Sequence, residues 1–182
     1  MDTDGSSTVV LTVASGPWRD AIDALDPLAL RIIKAALDAG AVSPWLRMGE
    51  VSLLLTDDRE IRSLNAAYRE RDRATNVLSF PGLDLIEGRA EAAAPPGSVL
   101  LGDVAISFER LSAEAAEQGK TLTDHFAHLL VHGTLHLLGY DHGDDAAAAV
   151  MESLEVSILK ALGFAAPYAM PSETDAMCSL AT

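Results

Sequence analysis

The chain has 182 residues, of which 49% are hydrophobic, and its 27 acidic and 13 basic side chains give a formal net charge of -14. This composition is typical of one globular domain, and it excludes a disordered chain, a collagen-like repeat and a disulfide-stapled scaffold. The acidic balance also argues against binding nucleic acid through overall positive charge, because phosphate binding usually needs a surplus of Lys and Arg.

Cys178 is the single cysteine of the sequence, so neither an intramolecular disulfide nor a cysteine-built zinc site is possible. The N-terminus is acidic and is followed by only a short apolar run, at 9–14, which does not fit a secretory signal. No segment approaches the roughly 20 apolar residues that span a bilayer. We therefore expect a cytoplasmic protein without membrane contact.

Strand and helix patterns alternate along the chain and predict one α+β domain over residues 1–182. Runs rich in β-branched or alternating apolar residues predict strands at 8–14, 50–56, 75–82 and 99–107. Apolar residues at helical spacing predict helices at 26–40, from 57 or 58 to beyond 68, at 108–118, 122–138 and 144–162. The order favours a small mixed four-stranded sheet packed with about five helices.

Helix starts are marked by acidic capping residues. Asp26 is expected to cap the first helix, with Pro27 in its first position. Asp57 or Asp58 is expected to cap the second helix, and Asp144 the last.

Three segments lie outside the predicted elements. Residues 84–98 are rich in Ala, Glu, Pro and Gly without an apolar period, which predicts a mobile loop. Residues 1–7 and 171–182 are expected to be flexible tails.

All five histidines fall between residues 125 and 142. Four of them are spaced three, four and four residues apart and share one helix face. His128, His132 and His136 span eight residues, or about 12 Å of helix, so they cannot all bind one ion through bonds of about 2.1 Å. A helical pair therefore needs a third ligand from elsewhere.

Gly139 can end this helix and let the chain turn back, which would bring His142 towards the pair. His132, His136 and His142 are then the predicted metal ligands, on a long central helix and the turn after it. Three histidines leave a coordination position open for water, as in catalytic zinc sites. His125 and His128 are assigned to supporting or packing roles, the alternative for the cluster being ordinary hydrogen-bonded histidines.

The spacing from His132 to His142 matches the metzincin peptidase signature H-E-x-x-H-x-x-G-x-x-H. Gly133 stands where that signature has the catalytic glutamate, and glycine offers no base for the zinc-bound water. The ligand pattern is therefore shared without the peptidase chemistry.

The run at 132–142, His-Gly-Thr-Leu-His-Leu-Leu-Gly-Tyr-Asp-His, resembles the signature of the YbeY-type endoribonucleases, the bacterial rRNA maturation factors. Segments 64–69, 72–81, 101–107 and 161–164 resemble further blocks of that family in the same order.

This resemblance implies an α+β fold, a zinc-type ion on His132, His136 and His142, and cleavage of single-stranded RNA. It also implies processing of ribosomal RNA, notably the 3′ end of the small-subunit 16S RNA, and ribosome quality control. Single-stranded ribosomal RNA and small-subunit proteins or assembly factors are the implied partners, whereas DNA is not expected. The arginine that the family requires falls on Arg69.

Arg69 belongs to a basic segment, residues 59–73, that carries five arginines against three acidic residues. A guanidinium can donate two parallel hydrogen bonds to the equatorial oxygens of a phosphoryl group. This bidentate binding suits Arg69 to a catalytic role. The alternative is a solvated helix on which Arg69 pairs with Glu70 or Asp72.

Other polar residues near the motifs have two interpretations each. Thr75, Asn76 and Ser79 either contact a phosphate or base edge, or cap and turn the chain. Asp103 and Asp141, like His128, are candidates to orient a ligand histidine through its second ring nitrogen. Asp141 is alternatively a proton acceptor.

Three functions are compatible with these features. The first is a metal-dependent endoribonuclease. The second is a ribosome-assembly binding protein whose metal is mainly structural, and the third is a metal-dependent hydrolase of another substrate.

Overall fold

The computed structural model of the chain describes residues 7–91 and 93–168, and it confirms the single-domain α+β fold. In this part of the chain the strands are β1 (Thr8–Val13), β2 (Glu50–Thr56), β3 (Val77–Pro81) and β4 (Leu100–Ser107). The helices are α1 (Trp18–Ala21), α2 (Leu25–Gly40), α3 (Asp58–Arg69), α4 (Phe108–Glu117), α5 (Leu122–Leu137) and α6 (Asp145–Leu162), with a 3₁₀ helix at Pro44–Met48. None of these helices is long and apolar enough to cross a membrane.

The four strands form one mixed sheet in the order β1-β2-β4-β3. The first three in that order are parallel, and β3 pairs with β4 in the antiparallel direction. Parallel neighbours need long crossovers, which α2 and α3 provide. The predicted mixed four-stranded sheet is confirmed, and β3 is one of its edges.

The main core lies between one face of the sheet and helices α2, α5 and α6. Val51, Leu53 and Leu55 of β2 point into it and are fully buried. Helix α3 packs on the other face, where Ile61 meets Ala105 of β4 in a smaller cluster. The central helix α5 therefore lies directly on the sheet beside β3 and β4.

The start of α2 differs from the prediction. Its N-cap is Ala24, in the left-handed conformation, and the helix begins at Leu25. Asp26 lies in the first turn and forms an ion pair with Arg19 instead of capping. Pro27 is tolerated in that turn because its backbone nitrogen has no helical acceptor there.

The other two predicted caps are confirmed. Asp57 caps α3 by accepting a hydrogen bond from Glu60 N at 2.9 Å, and Asp144 caps α6 by accepting one from Ala147 N at 2.8 Å. Helix α1 and the 3₁₀ helix were not predicted, because four or five residues are too few to show an apolar period.

The segment 84–98, predicted as a mobile loop, is attached to the core in its first half. Gly88 accepts a hydrogen bond from Val42 N at 2.9 Å and donates one to the Leu138 carbonyl at 2.8 Å. Leu85 also packs against the main core. Except for Ser7, the predicted tails 1–7 and 171–182 lie outside the described residues, as does Cys178.

Candidate active site

Two of the predicted ligands, His132 and His136, lie one turn apart on α5. A separation of four residues places both rings on the same side of the helix. Their Nε2 atoms are 3.1 Å apart. The helix thus presents two imidazole nitrogens towards one point.

The chain reverses after α5 through a Schellman turn centred on Gly139. Its φ of +80° lies in the left-handed region, which glycine adopts without strain. Gly139 N donates to the His136 carbonyl at 3.1 Å, and Tyr140 N donates to the Leu135 carbonyl at 3.2 Å. The buried Tyr140 hydroxyl then donates to the Gly40 carbonyl at 2.9 Å, which fixes the reversed segment on α2.

This turn brings His142 to the helical pair. Its ring centroid lies 5.7 Å from that of His132 and 5.1 Å from that of His136. One ring nitrogen of each histidine lies within 4.8 Å of the other two. His142 is exposed whereas the other two are half-buried, so the site opens towards solvent on one side.

The protonation of the helical pair follows from the partners of the Nδ1 atoms. His136 Nδ1 lies 2.9 Å from the Tyr140 carbonyl, which only accepts, so the proton is on Nδ1. His132 Nδ1 likewise faces the carboxylate of Glu155 at 2.7 Å. Burial, with the nearby His132 and His142, lowers the pKa of His136 to about 4, so this ring is neutral at pH 7.

His136 Nε2 therefore carries a lone pair, and it lies 3.1 Å from His132 Nε2, so one cation could bind both nitrogens. Two nitrogens bound tetrahedrally to zinc at about 2.1 Å are about 3.4 Å apart, close to the observed separation. The residues present thus fit one metal ion, with His132, His136 and His142 as the ligands.

Glu155 of α6 is a residue of this site that the sequence analysis missed. Its side chain is 1% exposed and accepts hydrogen bonds from His132, from His128 Nε2 at 3.2 Å and from the Tyr168 hydroxyl. Burial opposes its ionisation, but the hydrogen bonds from His128, His132 and Tyr168 outweigh burial and lower its pKa to about 2. A fixed carboxylate therefore orients His132 from behind, as metal-bound histidines commonly require.

A sequence signal for Glu155 does exist. It is an acidic residue on the buried face of α6, between Met151 and Ile158. Acidic residues are rarely buried without a partner, so its position marks it for a polar role.

The two aspartates proposed for that orienting role differ in their positions. Asp103 is exposed on the face of β4 opposite to Val104, and Val104 is the residue that faces α5. The structure therefore does not bring Asp103 to the histidines. Asp141 is exposed at the edge of the cleft, where its Oδ1 accepts from His142 N at 2.8 Å and lies 3.9 Å from His142 Nδ1.

Gly133, at the position of the peptidase glutamate, faces the sheet. A Cβ there would lie 2.8 Å from Val104 Cγ1 and 3.2 Å from Ser79 Oγ. Ser79 Oγ also donates to the Gly133 carbonyl at 3.1 Å. The absence of a side chain lets α5 lie close on the sheet, so this position cannot supply a catalytic base.

Arg69, in the last turn of α3, lies across the cleft from the histidines. The cleft has a volume of about 500 Å³ and is lined by Arg69, Asn76, Ser79, Asp141 and the three histidines, among others. The Arg69 guanidinium donates to the Ser79 carbonyl at 3.1 Å. Among the described residues it has no ion pair with Glu70 or Asp72, and Asp72 pairs instead with Arg62 at 2.6 Å.

The three polar residues before and in β3 are mainly engaged within the protein. Asn76 Oδ1 accepts from Val77 N at 2.7 Å, and its Nδ2 donates to Glu114 at 2.9 Å. Ser79 is buried between β3 and α5. Thr75 lines a neighbouring cleft, and its Oγ1 lies 3.4 Å from Asn76 Oδ1. These contacts favour the interpretation in which all three shape the chain.

His128 and His125 continue the row on α5 behind the ligands. His128 contacts Glu155, which in turn contacts the proposed ligand His132, so His128 meets the site only through that carboxylate. His125 is buried, with Nε2 2.9 Å from Glu114.

Three convergent histidines, open to a cleft with an arginine opposite, could hold one metal ion and leave a coordination position for water, as catalytic rather than structural sites do. Comparison with known proteins identifies the family. The model of the family described as endoribonuclease YbeY matches residues 19–163. The chain belongs to this family of RNA-cleaving hydrolases, so the site is that of an enzyme.

Sequence alignments with individual relatives cover most of the chain. The endoribonuclease YbeY of Sphingopyxis alaskensis is 46% identical over 168 residues, which cover 88% of this chain and 96% of that relative. That of Paramagnetospirillum magneticum is 45% identical over 160 residues, covering 88% and 94% respectively. The solution structure of a Thermotoga maritima protein aligns with a TM-score of 0.51 at 19% identity, covering 89% of this chain and 99% of that protein, and supports the fold alone.

Proposed function

We propose that this protein is a metal-dependent endoribonuclease that cleaves single-stranded RNA, and that its cellular substrate is ribosomal RNA. Maturation of the 16S RNA 3′ end and ribosome quality control in the cytoplasm are the processes we assign to it. One observation carries the proposal: the Nε2 atoms of His132 and His136 lie 3.1 Å apart and, with His142, converge inside a cleft that Arg69 also lines.

His132, His136 and His142 would hold the ion, which we propose to be zinc because its preferred ligands include imidazole nitrogens. When bound, such an ion supplies Lewis acidity, which lowers the pKa of water from about 16 to about 7 and polarises a phosphoryl oxygen. This makes a carboxylate base at Gly133 dispensable.

Arg69 would bind the phosphoryl oxygens on which negative charge develops during cleavage. The Ser79 carbonyl holds one end of its guanidinium, leaving the other N–H groups for a phosphate. Asp141 carries the only carboxylate among the described residues that line the cleft, and its oxygens are placed to accept a proton near His142.

The test is cleavage of a labelled single-stranded RNA by the wild-type protein and by two variants, with metal content measured on each. His136→Ala should lose both metal and cleavage while its circular dichroism is unchanged. Arg69→Ala should keep the metal but cleave about 10²–10³-fold more slowly, the usual cost of one transition-state donor. Arg59→Ala, an exposed arginine at the other end of α3, is the matched control and should cleave normally.

Cleavage that survives both chelation and His136→Ala would reveal a contaminating nuclease and refute the proposal. Normal cleavage by Arg69→Ala would remove that residue from the reaction. Product ends distinguish the nucleophile: a 5′-phosphate indicates attack by water, whereas a 2′,3′-cyclic phosphate indicates the RNA's own 2′-hydroxyl. A matched DNA strand should remain intact.

The net charge of -14 supports a further part of the proposal, dependence on protein partners. An acidic surface repels RNA and favours basic proteins, so small-subunit ribosomal proteins or assembly factors are proposed to bring the enzyme to its substrate. Efficient cleavage of arbitrary free RNA at physiological salt would contradict this dependence. A protein with a mainly structural metal would instead retain its metal and show no cleavage.

A further inference from the structure

A second cleft, here called the arginine cleft, adjoins the active-site cleft. Its volume is about 490 Å³, and both clefts are lined by Arg69, Asn76 and Val77. The additional basic residues of the arginine cleft are Arg71, Arg73 and Arg110. The two clefts therefore form one continuous surface, with Arg69 at the junction.

The charge of the arginine cleft is opposite to that of the whole chain. Four of the 13 basic residues line it, against one acidic residue, Glu114. Glu114 Oε2 is already engaged, since it accepts from Asn76 Nδ2 and lies 2.9 Å from His125 Nε2. Arg110 is already paired with Asp58, its Nε lying 3.1 Å from Asp58 Oδ2. The positive charge that remains accessible is concentrated on the loop after α3.

Two hydrogen bonds to the buried residue Asn65 fix the path of that loop. The Asn65 side chain is buried and its Nδ2 donates to the Arg73 carbonyl at 2.8 Å, while its own carbonyl accepts from Arg71 N at 3.2 Å. Glu70, which ends α3, has a φ of +56°, a conformation that costs energy for a non-glycine residue and needs such support. Arg71 and Arg73 are thus exposed side chains on a fixed backbone, which lowers the entropic cost of binding a ligand.

We propose that the arginine cleft binds the backbone phosphates of the RNA nucleotides that flank the scissile bond on one side, with Arg71 and Arg73 as the principal contacts. This inference rests on the proposed function, because it assigns the side on which the bound RNA strand extends beyond the active site. An extended polyanion fits better than a small anion, since the guanidinium groups are exposed and continue from Arg69. No aromatic side chain lines the cleft among the described residues, so base stacking is not provided and recognition is tolerant of sequence.

The experiment measures binding rather than cleavage. A fluorescent single-stranded RNA is titrated with the His136→Ala protein, which leaves the RNA intact, between 50 and 200 mM salt. Each phosphate contact on a single strand contributes about 0.7 to the slope of log K against log salt concentration. Arg71→Ala and Arg73→Ala, each added to His136→Ala, should therefore each reduce the slope by about 0.7 and weaken binding about fivefold at 0.1 M salt.

Arg59→Ala in the same background is the matched control and should leave the slope unchanged, because Arg59 is exposed but lines neither cleft. Arg73→Lys should retain most of the slope, which separates charge from loop structure. If neither alanine variant differs from the control, the proposal is wrong. If they differ as expected but the wild-type protein cleaves no RNA, the proposed function fails while the binding surface stands.

A second measurement tests the one-sided arrangement. RNAs with a defined cleavage position are extended by single nucleotides on either the 5′ or the 3′ side, and kcat/KM is measured with the wild-type enzyme. Extension on one side only should increase kcat/KM, and the increase should disappear in Arg73→Ala. Equal increases on both sides that persist in Arg73→Ala would overturn the inference.

Discussion

Replacing Glu155 by glutamine tests whether this buried carboxylate orients His132, one of the three proposed metal ligands. The change keeps the size of the side chain and removes its charge. Glu155 accepts from three donors, His132 Nδ1 at 2.7 Å, His128 Nε2 at 3.2 Å and the Tyr168 hydroxyl. A glutamine has one acceptor oxygen and an NH₂ group, so at least one of these donors would face another donor.

The expected magnitude follows from two independent comparisons. A hydrogen bond to a charged group contributes about 1.5–3 kcal/mol. Loss of a residue that orients a metal ligand typically weakens metal binding about 10–100-fold, and each tenfold change corresponds to about 1.4 kcal/mol. We therefore expect the Kd for zinc of Glu155→Gln to rise about 10–100-fold.

Competition with a chromophoric chelator measures that Kd directly, without reference to RNA. Glu152→Gln, an exposed position on the same helix, is the control for removing one negative charge and should bind zinc as the wild type does. Thermal unfolding of the metal-free proteins verifies that both variants are folded. A folded Glu155→Gln protein with wild-type zinc affinity would refute the orienting role of Glu155.

Three further substitutions probe the framework of the site. Gly133→Ala places a methyl group 2.8 Å from a Cγ of the facing β4 valine. The overpacking should cost about 1–3 kcal/mol, more than the gain of about 1 kcal/mol in helix propensity. Urea unfolding should therefore show a net loss of stability. Gly139→Ala forces alanine to a φ of +80° and brings its Cβ 2.0 Å from the Leu85 carbonyl oxygen, so the loss of stability should exceed the about 1–3 kcal/mol of the φ strain alone. It should also weaken zinc binding by displacing His142, as measured by chelator competition. Asp57→Ala should destabilise the protein at pH 7. Hydrogen bonds from Ser15 and then from the backbone lower the Asp57 pKa below 3.8, so the deficit should shrink as the pH falls below that value in urea titrations.

The histidine site was largely predictable because its information is local. A four-residue spacing on a helix places His132 and His136 on the same side of it. Gly139, in the left-handed region, determines the turn that leads to His142. Neither feature depends on how distant elements pack. The same holds for the caps Asp57 and Asp144, which bond to nitrogens three residues ahead.

The parts that the sequence analysis missed depend on long-range packing. Glu155 meets His132 only because α6 packs against α5. Asp103 precedes a residue that faces α5, and the one-residue alternation of a strand places it on the opposite face of the sheet. Asp26 has the sequence of a helix cap but instead pairs with Arg19, which precedes α2. In each case a tertiary partner decides between roles that the local sequence allows.

The net charge of -14 also affects how the proposed RNA path is to be measured. Repulsion between the whole molecule and RNA weakens as salt is added, whereas contacts between cleft arginines and phosphates are lost. These two effects have opposite signs, so the total salt slope of the wild-type protein should be smaller than the number of cleft arginines suggests. The long-range repulsion is nearly the same in Arg71→Ala, Arg73→Ala and Arg59→Ala, because each removes one positive charge. The difference between the cleft variants and the control therefore isolates the local phosphate contacts, even in a protein whose overall field opposes its substrate.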